Sequence, residues 1–111
     1  MIPFTTIDWS TIEKNEVKGE KGLAYWQIIQ LPGIWIRQVE YSGDFLVDHW
    51  CQKGHIIHCL SGSFTTELST GEKVLLKAND SFIVSDDASS HLTYSENGAQ
   101  LLIIDGDFLK P

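Results

Sequence analysis

The stretch Asp48-His49-Trp50-Cys51-Gln52-Lys53-Gly54-His55 holds two of the chain's four histidines and one of its two cysteines. If it forms a β-strand, His49 and Cys51 leave the same face, because successive side chains alternate. Their Cα atoms would then lie about 6.7 Å apart. An imidazole and a thiolate at that separation can meet on one metal ion, and His55 can join them from the next strand. The stretch therefore predicts a metal pocket inside a β-fold.

The residues around this stretch form a longer pattern. Five residues separate Gly43 from His49, three separate Cys51 from His55, and six separate His55 from Gly62. The spacing resembles the first motif of the cupin superfamily, which reads Gly, five residues, His-x-His, three or four residues, Glu, six residues, Gly. Cys51 stands where that motif has its second His, and His55 stands where it has Glu.

Of the second cupin motif, the chain has the histidine but not the turn. His91, within Ser89-Ser90-His91-Leu92, stands where that motif supplies a further ligand, whereas its Pro-x-Gly is replaced by Ser85-Asp86-Asp87-Ala88. More narrowly, the chain resembles the small single-domain cupins named for a DHCW motif, over roughly residues 23 to 107. The resemblance implies an all-β, single-domain jelly-roll barrel at 23–111, with 1–22 as an N-terminal arm of the same domain. It indicates the fold more firmly than the chemistry.

Composition agrees with one compact domain and excludes several functions. The chain has 111 residues, of which 42% are hydrophobic, enough for a single core. Its net charge of −7, with no cluster of basic residues, argues against nucleic-acid binding. No apolar run approaches the ~20 residues of a membrane span, and the first residues lack a signal peptide's pattern. We therefore expect a cytoplasmic protein whose two cysteines are thiols.

The chain reads as many short strands with turns every 8 to 12 residues or so, which is typical of a sandwich or barrel. Pro32-Gly33 predicts a type II turn, and Asn97-Gly98 is the strongest hairpin signal. The charged segment from Thr11 to Gly22 predicts a solvated arm, with one helical turn possible at a capping box that begins at Ser10. The predicted strands are 23–31, 34–42, 45–51, 55–60, 63–68, 72–76, 81–84, 91–95 and 99–104.

Each candidate ligand also has an ordinary structural interpretation. His49 could be a strand histidine satisfied by a backbone carbonyl, and Cys51 could be a small core residue. His58 should face away from His55, three positions along the same strand, and Cys59 is expected to pack in the core. Asp48 should point away from His49. Three tryptophans suggest stacking platforms, although packing is the commoner role of such residues: Trp26, Trp35 and Trp50.

The predicted site has two versions. If His49, Cys51, His55 and His91 all bind one divalent transition metal (Zn, Fe, Ni or Cu), the shell is closed and favours Zn²⁺ in a structural or sensing role. If Cys51 stays off the metal, three histidines leave positions open for chemistry on a small molecule, as in a dioxygenase, isomerase or hydrolase. A non-catalytic metal- or ligand-binding module and a metal-free barrel are the alternatives. The sequence does not select a substrate.

A homodimer is also predicted. An open jelly roll of this size has strand edges that must be covered or blunted. The N-terminal arm carries Ile2, Phe4, Ile7 and Trp9, whose exposure costs about 25 cal/mol per Å² of apolar area. We expect these side chains to lie across a second barrel, with folding back onto their own subunit as the alternative.

Overall fold

The computed structural model describes residues 1–111 and is almost entirely β-structure. Two short 3₁₀ turns, Trp9–Thr11 and Asp107–Leu109, flank the strands. The strands are β1 (Asn15–Lys18), β2 (Leu23–Leu31), β3 (Ile34–Leu46), β4 (His55–Leu68), β5 (Lys73–Lys77), β6 (Ser81–Val84) and β7 (His91–Gly106). No helix is long and apolar enough to cross a membrane.

All strand pairs are antiparallel, in the order β1-β2-β3-β7-β4-β5, with β6 beside the first half of β4. The long strand β7 pairs with β3 on one edge and β4 on the other. Irregularities in β4 between Cys59 and Ser61, and between Gly62 and Thr65, let it bend as the sheet curls into the jelly roll. A Cβ at Gly62 would lie 2.3 Å from the carbonyl oxygen of Gly98, so only glycine fits there. The predicted all-β jelly-roll class is confirmed.

The core lies between the two halves of the curled sheet. Along β4 the buried residues alternate, with His55, Ile57 and Cys59 inside. His58 lies on the opposite face, as predicted, and its Nδ1 is 2.6 Å from the hydroxyl of Ser81. The main hydrophobic cluster is Ala24, Val39, Phe45, Ile57, Cys59, Phe64, Leu76, Ala99, Leu101 and Ile103. Cys59 is fully buried in it, so its predicted packing role is confirmed.

The predicted hairpin at Asn97-Gly98 is wrong. These residues lie inside the continuous strand β7, where Asn97 pairs with Gly43 and Ala99 pairs with both Tyr41 and Gly62. Gly98 does take a positive φ of 93°, but the pairing of Asn97 with β3 and of Ala99 with both β3 and β4 keeps it within one strand. Tertiary pairing overrides the local turn preference here. The turn at Pro32-Gly33 does form, with φ of 74° at Gly33, and joins β2 to β3.

Two further strand predictions need correction. The predicted strand over 45–51 stops at Leu46, and residues 48–50 are loop. The charged segment expected to be a solvated arm contributes β1, which pairs with β2 along the sheet edge. Its mostly exposed, charged side chains suit an edge strand, because charges discourage pairing with another chain. The helical turn begins at Trp9 and is capped by Asp8, ahead of the predicted capping box.

The arm is anchored only in part. Gln27 Nε2 donates hydrogen bonds to the carbonyl oxygens of Trp9 (2.7 Å) and Ile12 (2.8 Å), which fastens the middle of the arm to β2. Phe4, in contrast, is 96% exposed. The homodimer stays a prediction: we expect twice the 12.5 kDa of the chain by sedimentation equilibrium, and removal of residues 1–9 should weaken it. A monomer at micromolar concentration would contradict this expectation, and a dimer that survives the truncation would show that the arm does not hold it.

Candidate metal centre

Three side chains meet where β4 and β7 begin. His55 is the first residue of β4 and His91 the first of β7. Cys51 lies in the loop between β3 and β4, and paired backbone hydrogen bonds tie it to His91: Cys51 N–H to His91 O (2.7 Å) and His91 N–H to Cys51 O (3.0 Å). The isolated bridge therefore brings a loop cysteine onto two strand histidines.

The donor atoms of Cys51, His55 and His91 all lie within 4.8 Å of one another. The Cys51 Sγ to His55 Nε2 distance is 3.5 Å, and the two imidazole rings stand edge to face with centroids 5.4 Å apart. A metal bound by one sulfur at about 2.3 Å and one nitrogen at about 2.1 Å, at a tetrahedral angle, separates them by about 3.6 Å. The spacing of the thiol and the imidazole thus fits one metal ion.

Hydrogen bonds at the Nδ1 atoms of His55 and His91 fix the orientation of both imidazole rings. His55 Nδ1 donates to Asp105 Oδ1 at 2.5 Å, and His91 Nδ1 donates to the carbonyl oxygen of Ser89 at 3.0 Å. Neither acceptor has a proton to give at neutral pH, so each Nδ1 carries the hydrogen. Each Nε2 is then the nitrogen left to bind a metal, through the lone pair that it has once it carries no proton.

Asp105 is itself held in place by an ion pair with Arg37. Arg37 donates to Asp105 Oδ2 at 3.0 Å, and its guanidinium lies over the ring of Trp26, 4.9 Å from the centroid. Both members of the Arg37–Asp105 pair are almost fully buried. Burial alone would raise the pKa of Asp105, but the bond from His55 and the charge of Arg37 hold it below its ordinary value. A carboxylate that stays ionised is a firm acceptor for His55.

The electrostatics of the cluster favour a thiolate. Burial would raise the pKa of Cys51, but hydrogen bonds from His55 and His91 and from the backbone at Lys53 outweigh it and bring the pKa to about 5. The pKa of His55 is raised, against burial, by its bonds to Asp105 and Cys51. The pKa of His91 is raised mainly by its bond to Cys51. In the metal-free protein these bonds favour a Cys51 thiolate beside the two imidazoles, and a divalent cation that bound there would displace the protons they share with the sulfur.

His49 does not belong to this cluster. Its side chain is 67% exposed, and its Nδ1 lies 2.6 Å from Asp48 Oδ1. The prediction that His49 and Cys51 leave one face of a strand is wrong, because this segment is loop; for the same reason Asp48 turns toward His49 rather than away from it. His49 nevertheless lines the cavity above the cluster, together with Cys51, His55 and His91.

The cavity over the site has a volume of about 130 Å³ and mainly apolar walls, including Tyr41, Val47, Ile57 and Ile103. Trp26 lines it beneath Arg37 and packs against the core, whereas Trp35 and Trp50 are both about half exposed. The predicted packing role is therefore confirmed for Trp26 and stays a prediction for the other two.

Tyr41 should make the stability of the folded protein depend on pH in the alkaline range. Burial raises its pKa to about 12, despite the opposing charge of Arg37. Because the unfolded chain loses this proton near pH 10, the stability that Tyr41 confers is complete below pH 10 and is lost as pH rises toward 12. We expect the free energy of unfolding, measured with urea, to fall by about 1.3 kcal/mol between pH 9 and pH 11 because of Tyr41. This contribution should be absent from Tyr41→Phe. Equal pH dependence of the two proteins would contradict the assignment.

The donor set suits a transition metal. Imidazole nitrogens bind Zn, Cu, Fe and Ni, and a thiolate adds preference for the softer of these. Three residues that support the site were missed from the sequence: Asp105, Arg37 and Ser89. Asp105 could have been noticed in the sequence. It lies two residues after Ile103 and four after Leu101, which places it on the same buried face of β7, where an isolated charge is costly.

Solved structures of the same fold are numerous. An RmlC-like cupin from Shewanella frigidimarina superposes with a TM-score of 0.74 at 15% identity, over 94% of this chain and 91% of that one. A predicted oxalate decarboxylase from Thermotoga maritima superposes with a TM-score of 0.75 at 15% identity, over 92% of this chain and 99% of that one. Ectoine synthase from P. lautus superposes with a TM-score of 0.74 at 11% identity, over 93% of this chain and 78% of that one.

At these identities the likeness concerns the fold alone. No protein-family model matches the chain, and no curated protein matches it significantly in sequence. The chain has the cupin jelly-roll fold, with a cluster of one cysteine and two histidines as its candidate metal site.

Proposed function

We propose that this cupin-fold protein holds one divalent transition metal through Cys51, His55 and His91, and acts on a small molecule that enters the cavity above it. The observation that carries the proposal is the pairing of both Nδ1 atoms with acceptors, Asp105 and the Ser89 carbonyl, which leaves both Nε2 atoms for the metal. Ligating histidines are commonly oriented by such partners.

Three protein donors favour an enzyme over a closed structural site. A four-coordinate ion bound by Cys51, His55 and His91 keeps one position for water or substrate, whereas structural zinc sites use four protein ligands. When bound, the metal would supply Lewis acidity or activation of a small molecule, as in the dioxygenase, isomerase and hydrolase classes. The mostly apolar wall from Tyr41 to Ile103 would limit access of water, and Asp105 would hold the proton on His55 Nδ1.

A non-catalytic binding module is the second candidate. It is favoured by His49, whose exposed imidazole lines the same cavity and would complete a closed shell if its loop moved inward. The two candidates differ in the number of protein ligands, so coordination number separates them. Protein purified without a histidine tag should contain close to one equivalent of a transition metal by elemental analysis. Metal-free protein that does not take up added Zn²⁺, Fe²⁺, Ni²⁺ or Cu²⁺ would refute both candidates.

Asp105→Asn should weaken metal binding about 10–100-fold, as loss of an orienting carboxylate does elsewhere. The amide keeps the size of the side chain but no longer offers His55 Nδ1 a charged acceptor, and it leaves Arg37 without its ion pair. The measurement is competition with a chromophoric chelator. Asp107→Asn is the matched control, because Asp107 is exposed and pairs with Lys110 rather than with His55 or Arg37. Equal affinity in Asp105→Asn and the parent protein would remove Asp105 from the site.

A further inference from the structure

A second cavity lies on the other side of His91. It has a volume of about 180 Å³, is open to solvent on one side, and has walls from β4, β5 and β6 together with Ser89 and His91. His91 is the one residue that it shares with the cavity over the metal cluster. Six of its nine lining residues are hydrophobic: Leu68, Val74, Leu76, Phe82, Ile83 and Val84. We call it the β5–β6 recess.

One buried polar group in the recess has no partner. Thr66 lines the recess and is only 5% exposed, yet its hydroxyl makes no hydrogen bond. Buried hydroxyls are nearly always bonded, because burial takes away their bonds to water. Val74 lies directly opposite Thr66 in the ladder between β4 and β5, so the two side chains are neighbours on the wall of the recess. The hydroxyl is a ready partner for a ligand oxygen.

The entrance to the recess is apolar. Val74 and Ile83 both line it, and they are 42% and 67% exposed. No Lys, Arg, Asp or Glu lies among the lining residues, which favours a neutral ligand over an ionised one. Apolar cavities of about 150 Å³ are large enough to hold benzene.

We propose that the β5–β6 recess binds one small neutral molecule with a single ring or short apolar chain and one hydroxyl or carbonyl oxygen, which pairs with the Thr66 hydroxyl. The apolar part would lie against Leu76 and Phe82 and take their surface out of contact with water. The proposal does not depend on metal, since the recess has walls of its own and shares only His91 with the cluster.

Phenol and toluene test it, because they share one shape and differ by a hydroxyl against a methyl group. Each is titrated into ¹⁵N-labelled protein, with EDTA present so that metal has no part in the outcome. We expect saturable shifts at the backbone of Thr66, Leu76 and Phe82 with both ligands. Thr66→Val should reduce the ratio of phenol to toluene affinity about fivefold, the value of one net hydrogen bond, and Thr66→Ser should retain it.

Val74→Phe should abolish binding of both ligands by filling the recess beside Thr66. Leu75→Phe is the matched control: Leu75 is the next residue, is exposed and does not line the recess, so binding should be unchanged. The ¹⁵N spectra of the unliganded variants show whether each is folded. No saturable shift at the lining residues up to the solubility limit of toluene would overturn the recess as a site. An unchanged affinity ratio in Thr66→Val would overturn the proposed ligand class.

Discussion

Replacing either His55 or His91 by alanine should reduce metal loading from about one equivalent to near zero. Each change removes one of three donors, and two remaining protein ligands do not hold a divalent ion against a chelator. The two histidines begin different strands, yet both lie within reach of the Cys51 sulfur, so the loss should be the same from either side. The measurement is elemental analysis of untagged protein after dialysis against EDTA and reloading.

The other two histidines are the controls. His58→Ala should load normally, because His58 lies on the outer face of β4 beside Ser81. His49→Ala should also load normally, since the exposed His49 imidazole lies outside the cluster and pairs with Asp48. Loss of loading in His49→Ala would mean that the loop from residue 48 to residue 50 closes onto the metal, and it would support the four-ligand version of the site. Equal loss in all four variants would point to a general effect on folding.

Cobalt substituted at the site should show an intense near-ultraviolet charge-transfer band from the Cys51 thiolate. The sulfur lies 3.5 Å from His55 Nε2, a separation that one shared metal produces, and the pKa of Cys51 is lowered to about 5 by hydrogen bonds from the two histidines and from the backbone at Lys53, in spite of burial. Cys51 should therefore bind as thiolate throughout the neutral range. The band should be absent from Cys51→Ser, which keeps a ligand of similar size.

Cys59→Ser is the control for the charge-transfer band, because Cys59 is buried in the hydrophobic core and its sulfur contacts the carbonyl oxygens of Ser61 and Gly62. Its variant should keep the band, although it will be less stable. A parent protein that binds cobalt without the band would make Cys51 a packing residue. The metal would then depend on His55 and His91 with a further ligand, and His49 becomes the first candidate.

The spacing of the motif was enough to find the three clustered residues, but not to place their neighbours. Cys51, His55 and His91 come together although Cys51 is held by a two-residue bridge rather than a strand. Strand alternation predicted the wrong side-chain direction for His49, because β3 ends at Leu46 and side chains in the loop that follows do not alternate. Asp105 and Arg37 lie 50 and 18 residues from His55, and nothing local to the motif connects them with it.

The fold was predictable where local signals and tertiary pairing agree. The bounds of β2 and β6 were predicted from the sequence, since Pro32-Gly33 and Asp86-Asp87 end strands that no neighbour extends. Asn97-Gly98 and Ser61-Gly62 also carry turn signals, yet both lie within long strands. β7 pairs with β3 at Asn97 and with both β3 and β4 at Ala99, and the summed ladder of hydrogen bonds outweighs the preference of two residues for a turn.

X-ray absorption at the edge of the bound metal, on untagged protein, tests the central claim most directly. The account predicts a first shell with one sulfur at about 2.3 Å and two nitrogens at about 2.0–2.1 Å, completed by a light atom from water. In Cys51→Ser the sulfur should vanish, while the two nitrogens stay. A shell without sulfur, or protein that holds no metal after exposure to Zn²⁺, Fe²⁺, Ni²⁺ and Cu²⁺, would contradict a metal centre built from Cys51, His55 and His91.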